Sequence, residues 1–320
     1  MADAFAGVTL RAIEEARERL HGHVAATPLV RLQGGDEQGE VWLKLENLQP
    51  IGSFKLRGAG NALLSAAPDA LARGVVTASA GNMAQGVAWH ARRLGIPCTV
   101  IVPDHAPETK LAAIARLGGQ FIKVPFDDWW QVIVTHHYPG MDGLFVHPVS
   151  DPAVMAGNGT IGLEILEDLP DVDAILIPYG GGGLSSGIAS AVRALKPDTR
   201  LYACEVETSA AFAAALAAGE ITKIDYQPSF VDGIGGSSVL TDMWDRVRSL
   251  LDGSLVSSLA QVADAVRLLA ERNRVIAEGA GATPVAAALA GKAGTGKVVC
   301  VVSGGNIDFE KLVKIFRREI

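Results

Sequence analysis

Apolar and polar positions follow two recurring patterns along this chain. Apolar, β-branched runs of four to six residues alternate with longer segments in which apolar residues recur every three or four positions. The short runs are typical of buried strands, and the longer segments are typical of helices with one apolar face. Because the two kinds alternate from about residue 41 onward, the pattern predicts an α/β fold with a mostly parallel sheet covered by helices.

The pattern also gives approximate bounds for these elements. Strands are predicted at 41–46, 74–78, 98–102, 121–124, 144–147, 174–178, 200–205 and 298–302. Helices are predicted at 9–21, 56–64, 82–94, 107–117, 127–135, 158–169, 184–195, 208–218, 258–276 and 308–318. Residues 222–254 contain several glycines and predict a loop, and Ser258 with Gln261 predicts a capping box for the following helix.

Composition excludes several classes of protein. The chain has 320 residues, 49% hydrophobic and 20% charged, which allows a sizeable core and argues against global disorder. The net charge of -7 argues against nucleic acid as a partner, because phosphate binding needs a basic face. The N-terminus lacks a secretory signal pattern, and charges or prolines interrupt every apolar run. We therefore expect a soluble cytoplasmic protein with no membrane segment.

Cysteine and metal chemistry contribute little to the predicted function. Cys98, Cys204 and Cys300 each lie in a predicted strand and form no CxxC pair, so we expect buried thiols in a reducing compartment. The histidines have no zinc spacing. Glu205 and Glu207 lie two apart at a strand end and could bind a cation, although such a pair is more often solvated. We predict no metal site and keep Glu205 as a candidate ligand only.

Polar, small-residue segments follow several of the predicted strands. Lys55 lies in the turn 52–58, and similar segments occupy 79–82, 180–183 and 303–306. A lone lysine is ordinarily a solvated surface residue. However, ligands of parallel sheets bind beyond the carboxyl ends of the strands, so these four segments are predicted to share one cleft.

The glycine run lies between a predicted strand and a predicted helix, and consists of Gly180, Gly181, Gly182 and Gly183. Without side chains, its backbone N–H groups can approach an anion at the helix N-terminus, so we favour a phosphate site. The alternative is a tight turn between strand and helix. The spacing is not that of a dinucleotide fingerprint and no GK[ST] follows, so a nucleotide is less favoured.

Two further loops offer polar groups. Ser79, Gly81 and Asn82 could hold a phenolate oxygen and a substrate carboxylate, unless Ser79 is an ordinary N-cap. Ser303 follows the last predicted strand and could face a ring nitrogen, unless its hydroxyl merely caps a turn.

Five separated segments together resemble the fold-type II pyridoxal phosphate (PLP) enzymes, in particular the serine/threonine dehydratase and serine racemase group. They are KLENLQP with SFKLRG at 44–58, HP with AGNGT at 147–160, the SAGN loop, the glycine run, and EGAGA at 278–282. The resemblance extends from about Thr27 to Asn306. It implies two lobes, with residues 1–50 and 148–320 as a large PLP-binding domain and 51–147 as a small domain. It also implies a homodimer.

The resemblance implies a role for each site residue. Lys55 would be the Schiff-base lysine and the acid/base at the substrate α-carbon, with Phe54 beside it. Asn82 would contact the ring phenolate, and Ser303 would meet the pyridine nitrogen. The phosphate would bind the glycine run and Leu184. The substrate carboxylate would meet the loop formed by Ser79, Ala80, Gly81 and Met83.

Three departures from the family pattern modify these expectations. Ala80 replaces the serine of the racemases, which argues for elimination and against racemisation. Met83 replaces a usual histidine beside the carboxylate loop and indicates a variant or bulkier substrate. Ala210 and Ala211 stand where a second cation ligand is expected, which argues against a metal at Glu205. Because the chain ends at Ile320, we expect no regulatory domain.

The sequence thus predicts a PLP-dependent ammonia-lyase that converts a 3-hydroxy amino acid of the L-threonine or L-serine type to a 2-oxo acid and ammonia. Two alternatives remain. One is another fold-type II activity, namely amino-acid racemisation or β-replacement. The other is a non-catalytic α/β protein that binds a nucleotide or anion through the glycine run.

Overall fold

The computed structural model describes residues 7–34 and 39–320. The strands in these residues are β1 (Leu29–Arg31), β2 (Glu40–Lys44), β3 (Val75–Ala78), β4 (Cys98–Pro103), β5 (Gln120–Val124), β6 (Leu144–Phe145), β7 (Ala174–Pro178), β8 (Arg200–Val206), β9 (Gly253–Ser257) and β10 (Lys297–Val301). They form one six-stranded sheet in the order β1-β2-β10-β7-β8-β9 and one four-stranded sheet in the order β5-β4-β3-β6. All described pairs are parallel except β1 with β2, which confirms the predicted parallel α/β fold.

Helices connect and cover the strands. They are α1 (Leu10–Leu20), α2 (Lys55–Leu64), α3 (Pro68–Leu71), α4 (Asn82–Leu94), α5 (Glu108–Arg116), α6 (Phe126–Thr135), α7 (Pro152–Asp168), α8 (Gly183–Leu195), α9 (Ala211–Ala218), α10 (Trp244–Leu250), α11 (Leu259–Leu268), α12 (Gly279–Leu289) and α13 (Phe309–Phe316). No described helix is both long enough and apolar enough to cross a membrane.

The six-stranded sheet is buried on both faces. Along β7, Ile175 and Ile177 pack into one apolar core, and Ala174 and Leu176 pack into another on the opposite face. Successive side chains of a strand point to opposite faces, so a strand between two cores must be apolar throughout. This explains the continuous apolar run that predicted the strand. The predicted burial of the three cysteines is also confirmed, and all three are free thiols.

Helices α2, α7 and α8 pack unusually closely because glycines lie at their contacts. A Cβ atom on Gly157 of α7 would lie 2.5 Å from the carbonyl oxygen of Arg57 in α2. A Cβ atom on Gly187 of α8 would lie 2.3 Å from the carbonyl oxygen of Met155 in α7. Only glycine permits backbones to approach this closely. Helix α7 therefore holds the helix that begins at Lys55 close to the helix that follows the glycine run.

The structure differs from the sequence prediction at several boundaries. Helix α7 starts at Pro152, six residues before the predicted 158–169 helix, because the Asp151 carboxylate caps it by accepting from the Ala153 and Val154 N–H groups. The predicted loop at 222–254 contains α10 and the start of β9. The C-terminal end of the predicted helix at 258–276 is also wrong.

The capping box at Ser258 and Gln261 is confirmed at the start of that helix. Regular α-helix stops at Leu268, and a π-helical turn follows over Leu269–Asn273. The turn ends at Arg274, whose φ of 61° is left-handed and cannot continue the helix. Helix α12 was not predicted as a helix at all.

The strands of the four-stranded sheet all lie between residues 75 and 145, and those of the six-stranded sheet lie before and after them. This distribution is consistent with a small domain at 51–147 and a large domain formed by 1–50 and 148–320. The domain boundaries themselves stay a prediction, and residues 1–6 and 35–38 lie outside the described residues.

Candidate active site

Lys55 begins helix α2 and is partly buried. Its Nζ donates a hydrogen bond to the Pro148 carbonyl oxygen at 2.6 Å and lies 5.2 Å from the centre of the Phe54 ring. No described carboxylate forms an ion pair with it. Burial lowers the pKa of the Lys55 amine to about 8, and the negative charge of Glu278 partly opposes this shift. Lys55 is therefore an amine that can lose its proton near neutral pH.

The segment before Lys55 lies against the loop that contains Ser303. The Phe54 N–H donates to the Ser303 carbonyl at 2.9 Å, and Ser53 forms an isolated antiparallel bridge with Gly304. The Gly305 N–H donates to the Gly52 carbonyl at 2.9 Å. Ser303 itself is buried. Two of the four predicted site segments are thus in direct contact.

Asn82, the first residue of α4, joins the same group of loops. Its Nδ2 donates to Glu278 Oε1 at 3.0 Å, and its Oδ1 accepts from Asn306 Nδ2 at 2.8 Å. Asn306 Nδ2 also donates to the Ile51 carbonyl at 2.8 Å. These contacts fix the amide plane of Asn82. One hydrogen of its Nδ2 remains for a ligand, because an amide nitrogen carries two.

Glu278 is a site residue to which the sequence analysis assigned no role. It is buried and stands immediately before α12. Burial and the nearby charge of Asp232 raise the pKa of its carboxyl group to about 7, against the opposing effects of Asn82, Lys110 and Lys55. The available signal was its position in the EGAGA segment, a lone carboxylate before an apolar, small-residue run.

The glycine run is required by packing even without a ligand. Gly182 has a φ of 94°, which disfavours other residues. A Cβ atom on Gly181 would lie 2.6 Å from Val149 Cγ2, and one on Gly183 would lie 2.6 Å from the Val149 carbonyl oxygen. The glycine run therefore does form a tight turn between strand and helix. A tight turn is compatible with an anion site.

Among the described residues, no group accepts a hydrogen bond from the N–H groups of Gly181, Gly182, Gly183 and Leu184. These donors open helix α8, where the helix dipole adds partial positive charge. Free donors at the start of a helix are the usual binding site of a phosphate group. Val149 packs under this turn while its neighbour Pro148 binds Lys55, so the phosphate site and the amine belong to one region.

Ser79 does not cap helix α4, so that alternative is wrong. Gly81 occupies the N-cap position without a side-chain cap, and its N–H donates to Ser79 Oγ at 3.2 Å. Ser79, Ala80 and Gly81 are all partly buried. The loop therefore forms a short turn that leaves the Ser79 hydroxyl hydrogen available as a donor.

The Met83 side chain lies in the apolar core and not in the carboxylate loop that its sequence position suggested. Its side chain is only 1% exposed and packs with Ala84 and Val87 in the apolar core of the four-stranded sheet. The methyl group of Ala80 packs against the same core. Packing thus explains the apolar residue at position 83, and the structure does not support its expected contact with substrate.

Glu205 is not solvated, contrary to expectation. It is buried at the end of β8, and its carboxylate accepts from the N–H groups of Phe212 and Ala213, each at 2.8 Å. Ser254 Oγ also donates to it, at 2.5 Å. Glu205 therefore caps helix α9, which explains why that helix begins at Ala211 rather than at the predicted 208. In the described ranges, no group of three or more His, Cys, Asp or Glu side chains could hold a metal.

The arrangement fits PLP group by group. Lys55 offers an amine for its aldehyde, and the start of α8 offers free N–H donors for its phosphate. Ser303 is buried and its carbonyl accepts from the N–H of Phe54, the residue before Lys55, so its hydroxyl can serve a ring nitrogen. The Asn82 amide can donate to a phenolate oxygen. All four groups lie on loops that contact one another directly or through residues 148–149.

Comparison with known proteins identifies the family of this chain. The model of the pyridoxal-phosphate dependent enzyme family matches residues 20–304. An L-threonine ammonia-lyase from Geobacter sulfurreducens is 41% identical over 314 residues, covering 96% of this chain and 77% of the relative. The catabolic L-threonine dehydratase TdcB of Escherichia coli K12 is 39% identical and covers 96% of both chains.

Among solved structures, maize serine racemase superposes with a TM-score of 0.89 at 31% identity, and the match covers 97% of both chains. The resemblance noted in the sequence is therefore confirmed, as are the fold-type II architecture and the use of PLP. The chain belongs to the pyridoxal-phosphate dependent enzyme family.

Proposed function

We propose that this protein is a PLP-dependent lyase that eliminates water from a 3-hydroxy amino acid of the L-threonine or L-serine type. The products are a 2-oxo acid and ammonia. The observation that carries this proposal is the Lys55 amine, which contacts a backbone carbonyl instead of a carboxylate and has a pKa of about 8. The threonine ammonia-lyase and dehydratase relatives, at 39–41% identity, support the choice of reaction.

We assign the binding roles as follows. The N–H groups of Gly180 to Leu184 hold the phosphate, Asn82 donates to the phenolate oxygen, and Ser303 meets the ring nitrogen. The Ser79–Gly81 turn receives the substrate carboxylate through its hydroxyl and backbone donors. When bound, PLP supplies the electron-withdrawing system that stabilises negative charge at the substrate α-carbon.

Lys55 performs the proton transfer in this proposal. Burial lowers the pKa of its amine to about 8, so the amine, when free and neutral, can take the α-proton. The bond between C3 and oxygen then breaks, and the departing hydroxide takes the proton from the Lys55 ammonium group and leaves as water. The resulting enamine tautomerises to an imine, and water hydrolyses the imine to the 2-oxo acid and ammonia. Lys55 has then passed the α-proton to the departing water and is neutral again.

Ser303 and Ala80 favour elimination over the alternative reactions. A serine hydroxyl beside the ring nitrogen cannot stabilise a charged pyridinium as a carboxylate would, so prompt loss of the C3 substituent is favoured over a long-lived carbanion. Ala80 carries no proton that could be delivered to the opposite face of the α-carbon, which argues against racemisation.

The direct test measures 2-oxo acid release from L-serine, L-threonine, 3-hydroxyaspartate and a 3-aryl serine, with PLP supplied. Turnover of at least one substrate, lost in Lys55→Ala, is the expected result. If none is turned over while PLP remains bound, chiral analysis of the recovered amino acids and a β-replacement assay would decide between the other fold-type II activities. A purified protein that binds no PLP would instead favour the non-catalytic alternative.

We also propose a homodimer in the cytoplasm, with the small domain at 51–147 as a separate lobe. The family resemblance supports the dimer, and the distribution of strands between the two sheets supports the lobes. Light scattering of the purified holoenzyme would give the mass, where a monomer would contradict the proposal.

A further inference from the structure

His147 lies in the turn between β6 and α7 and makes an unusual set of hydrogen bonds. Its Nδ1 accepts from the Val149 N–H at 3.1 Å and from the Ser150 N–H at 2.7 Å, and the Ser150 hydroxyl lies 2.9 Å away. Backbone amides can only donate, so Nδ1 must carry its lone pair. The ring is therefore neutral, with its proton on Nε2.

The surroundings of His147 favour this neutral form. The side chain is buried, and the His136 ring stacks on it with 4.4 Å between centroids. Burial, followed by the nearby His136 and Lys55, lowers the pKa of His147 to about 3. The ring thus joins the end of helix α6 to the turn at 147–150 across the working pH range.

The turn that His147 shapes contacts both halves of the proposed site. The carbonyl of Pro148 accepts the hydrogen bond from Lys55 Nζ, and Val149 packs against the positions of Gly181 and Gly183. A shift of this turn would therefore move the acceptor of the reactive amine and the support of the phosphate loop together. Neither Pro148 nor Val149 offers a side-chain hydrogen bond that could fix the turn by itself.

We propose that His147 is a positioning residue, whose Nδ1 holds the 147–150 turn so that Pro148 aims Lys55 and Val149 supports the glycine run. The inference rests on the proposed role of Lys55 in holding the cofactor, and it holds for any amino-acid substrate. It does not depend on the aromatic ring as such. It depends on one acceptor at the position of Nδ1.

The test compares three variants of the full-length holoenzyme. In His147→Asn, the amide oxygen can occupy the place of Nδ1, whereas His147→Gln carries its amide one bond further out and His147→Leu has no acceptor. We expect the Asn variant to release PLP within about threefold of the wild-type rate, and the other two at least about tenfold faster, as for loss of buried hydrogen bonds. We expect kcat to fall in the same order while KM for the amino acid stays unchanged.

The control is His136→Asn, which removes the stacked ring but none of the hydrogen bonds to His147 Nδ1, and asparagine suits the left-handed φ of 57° at that position. It should retain PLP as the wild type does. Equal PLP release by all three His147 variants would overturn the proposal. So would an Asn variant as impaired as the Leu variant, because ring packing would then be the cause.

A measurement on the wild-type protein covers the case in which the variants fail to fold. Nitrogen NMR of histidine-labelled holoenzyme should find His147 protonated on Nε2 and bare on Nδ1 from pH 5 to 9. A proton on Nδ1 would contradict the proposal. Retention of PLP by Lys55→Ala would instead count against the proposed function, so the two ideas can fail separately.

Discussion

Two lysines, Lys44 and Lys55, lie eleven residues apart in the sequence and differ in what their ammonium groups contact. Lys44 is fully buried, and its Nζ lies 2.7 Å from a Glu164 oxygen and 3.6 Å from an Asp168 oxygen. Within residues 7–34 and 39–320, the one hydrogen-bond acceptor of Lys55 Nζ is the carbonyl oxygen of Pro148. The first amine is ion-paired with two carboxylates, whereas no described carboxylate forms an ion pair with the second.

The comparison teaches that reactivity depends on the partner of a buried amine more than on burial itself. A carboxylate in contact stabilises the charged form, and a lone carbonyl does so much less. Arg57, two residues after Lys55 on α2, is ion-paired as Lys44 is. Its guanidinium donates to both oxygens of Glu46 at 2.8 and 2.9 Å, and to both oxygens of Glu164 at 2.6 and 2.8 Å. Paired charges thus anchor the helix that presents the unpaired amine.

Substituting each lysine in turn should give the largest difference in activity. Lys55→Ala should lower turnover by at least about a thousandfold, because the proton acceptor and the covalent attachment are both lost. Lys44→Met should keep PLP covalently bound, although it should unfold at lower temperature. The measurements are steady-state turnover and the PLP content after denaturation. Comparable PLP retention by Lys55→Ala and wild type would contradict the assignment.

Removing the anchoring charge should act on stability instead of chemistry. Arg57→Leu leaves Glu46 buried without its partner, and we expect a loss of about 3–5 kcal/mol in the free energy of unfolding. Arg17 and Glu167 form a comparable ion pair on the surface, and Arg17→Leu should change stability by no more than about 1 kcal/mol. Urea unfolding of the two variants makes the comparison, and equal effects would show that burial does not matter here.

The glycine run should tolerate no side chain. In Gly183→Ala the new methyl group would lie 2.6 Å from the Val149 carbonyl oxygen. Relieving such a clash costs about 1–3 kcal/mol, so PLP affinity should fall roughly tenfold to a hundredfold. Gly236→Ala is the matched control, because its nearest neighbour would be 4.0 Å away. Titration of both apoproteins with PLP gives the affinities, and an unchanged Gly183→Ala would argue against the proposed phosphate site.

The smallest expected effect is a pH dependence of stability that arises from Glu278. Its carboxyl pKa is raised from 4.5 to about 7 on folding, so the folded state binds more protons between these values. The free energy of unfolding should therefore fall as pH rises from about 4.5 to 7, by on the order of 1–3 kcal/mol. Glu278→Gln should lack this slope. Unfolding of both cofactor-free proteins across this range checks the sign, and a rising slope from Glu278 would contradict it.

The sequence could predict those strands and helices whose pattern of apolar residues shows directly which faces are buried. β7 and α4 were predicted with their observed bounds, because one is apolar throughout and the other has a clear apolar face. α12 was missed because its residues are Gly, Ala, Thr and Pro with few large side chains, and it is buried all round except at Leu289. Periodicity carries no signal when every face is covered.

The site divides in the same way. Lys55 and the glycine run were predicted because side-chain chemistry, or its absence, marks them in the sequence. The roles of Pro148 and Val149 depend on a backbone carbonyl and on packing, which no residue type reveals. Met83 was assigned to substrate because it follows the carboxylate loop, but the first turn of α4 rotates its side chain into the core. The direction of the Met83 side chain depends on its position in the first turn of α4, and the sequence alone did not give that direction.

The most direct test of the role proposed for Lys55 is to identify the lysine that holds the cofactor. Borohydride reduction of the purified holoenzyme makes the link permanent, and peptide mass spectrometry then locates the added mass. We expect modification of Lys55 in the segment Gly52 to Gly58, and none at Lys44, whose amine is ion-paired with carboxylates. Label on Lys44 or on another lysine, with Lys55 unmodified, would show that Lys55 does not hold the cofactor.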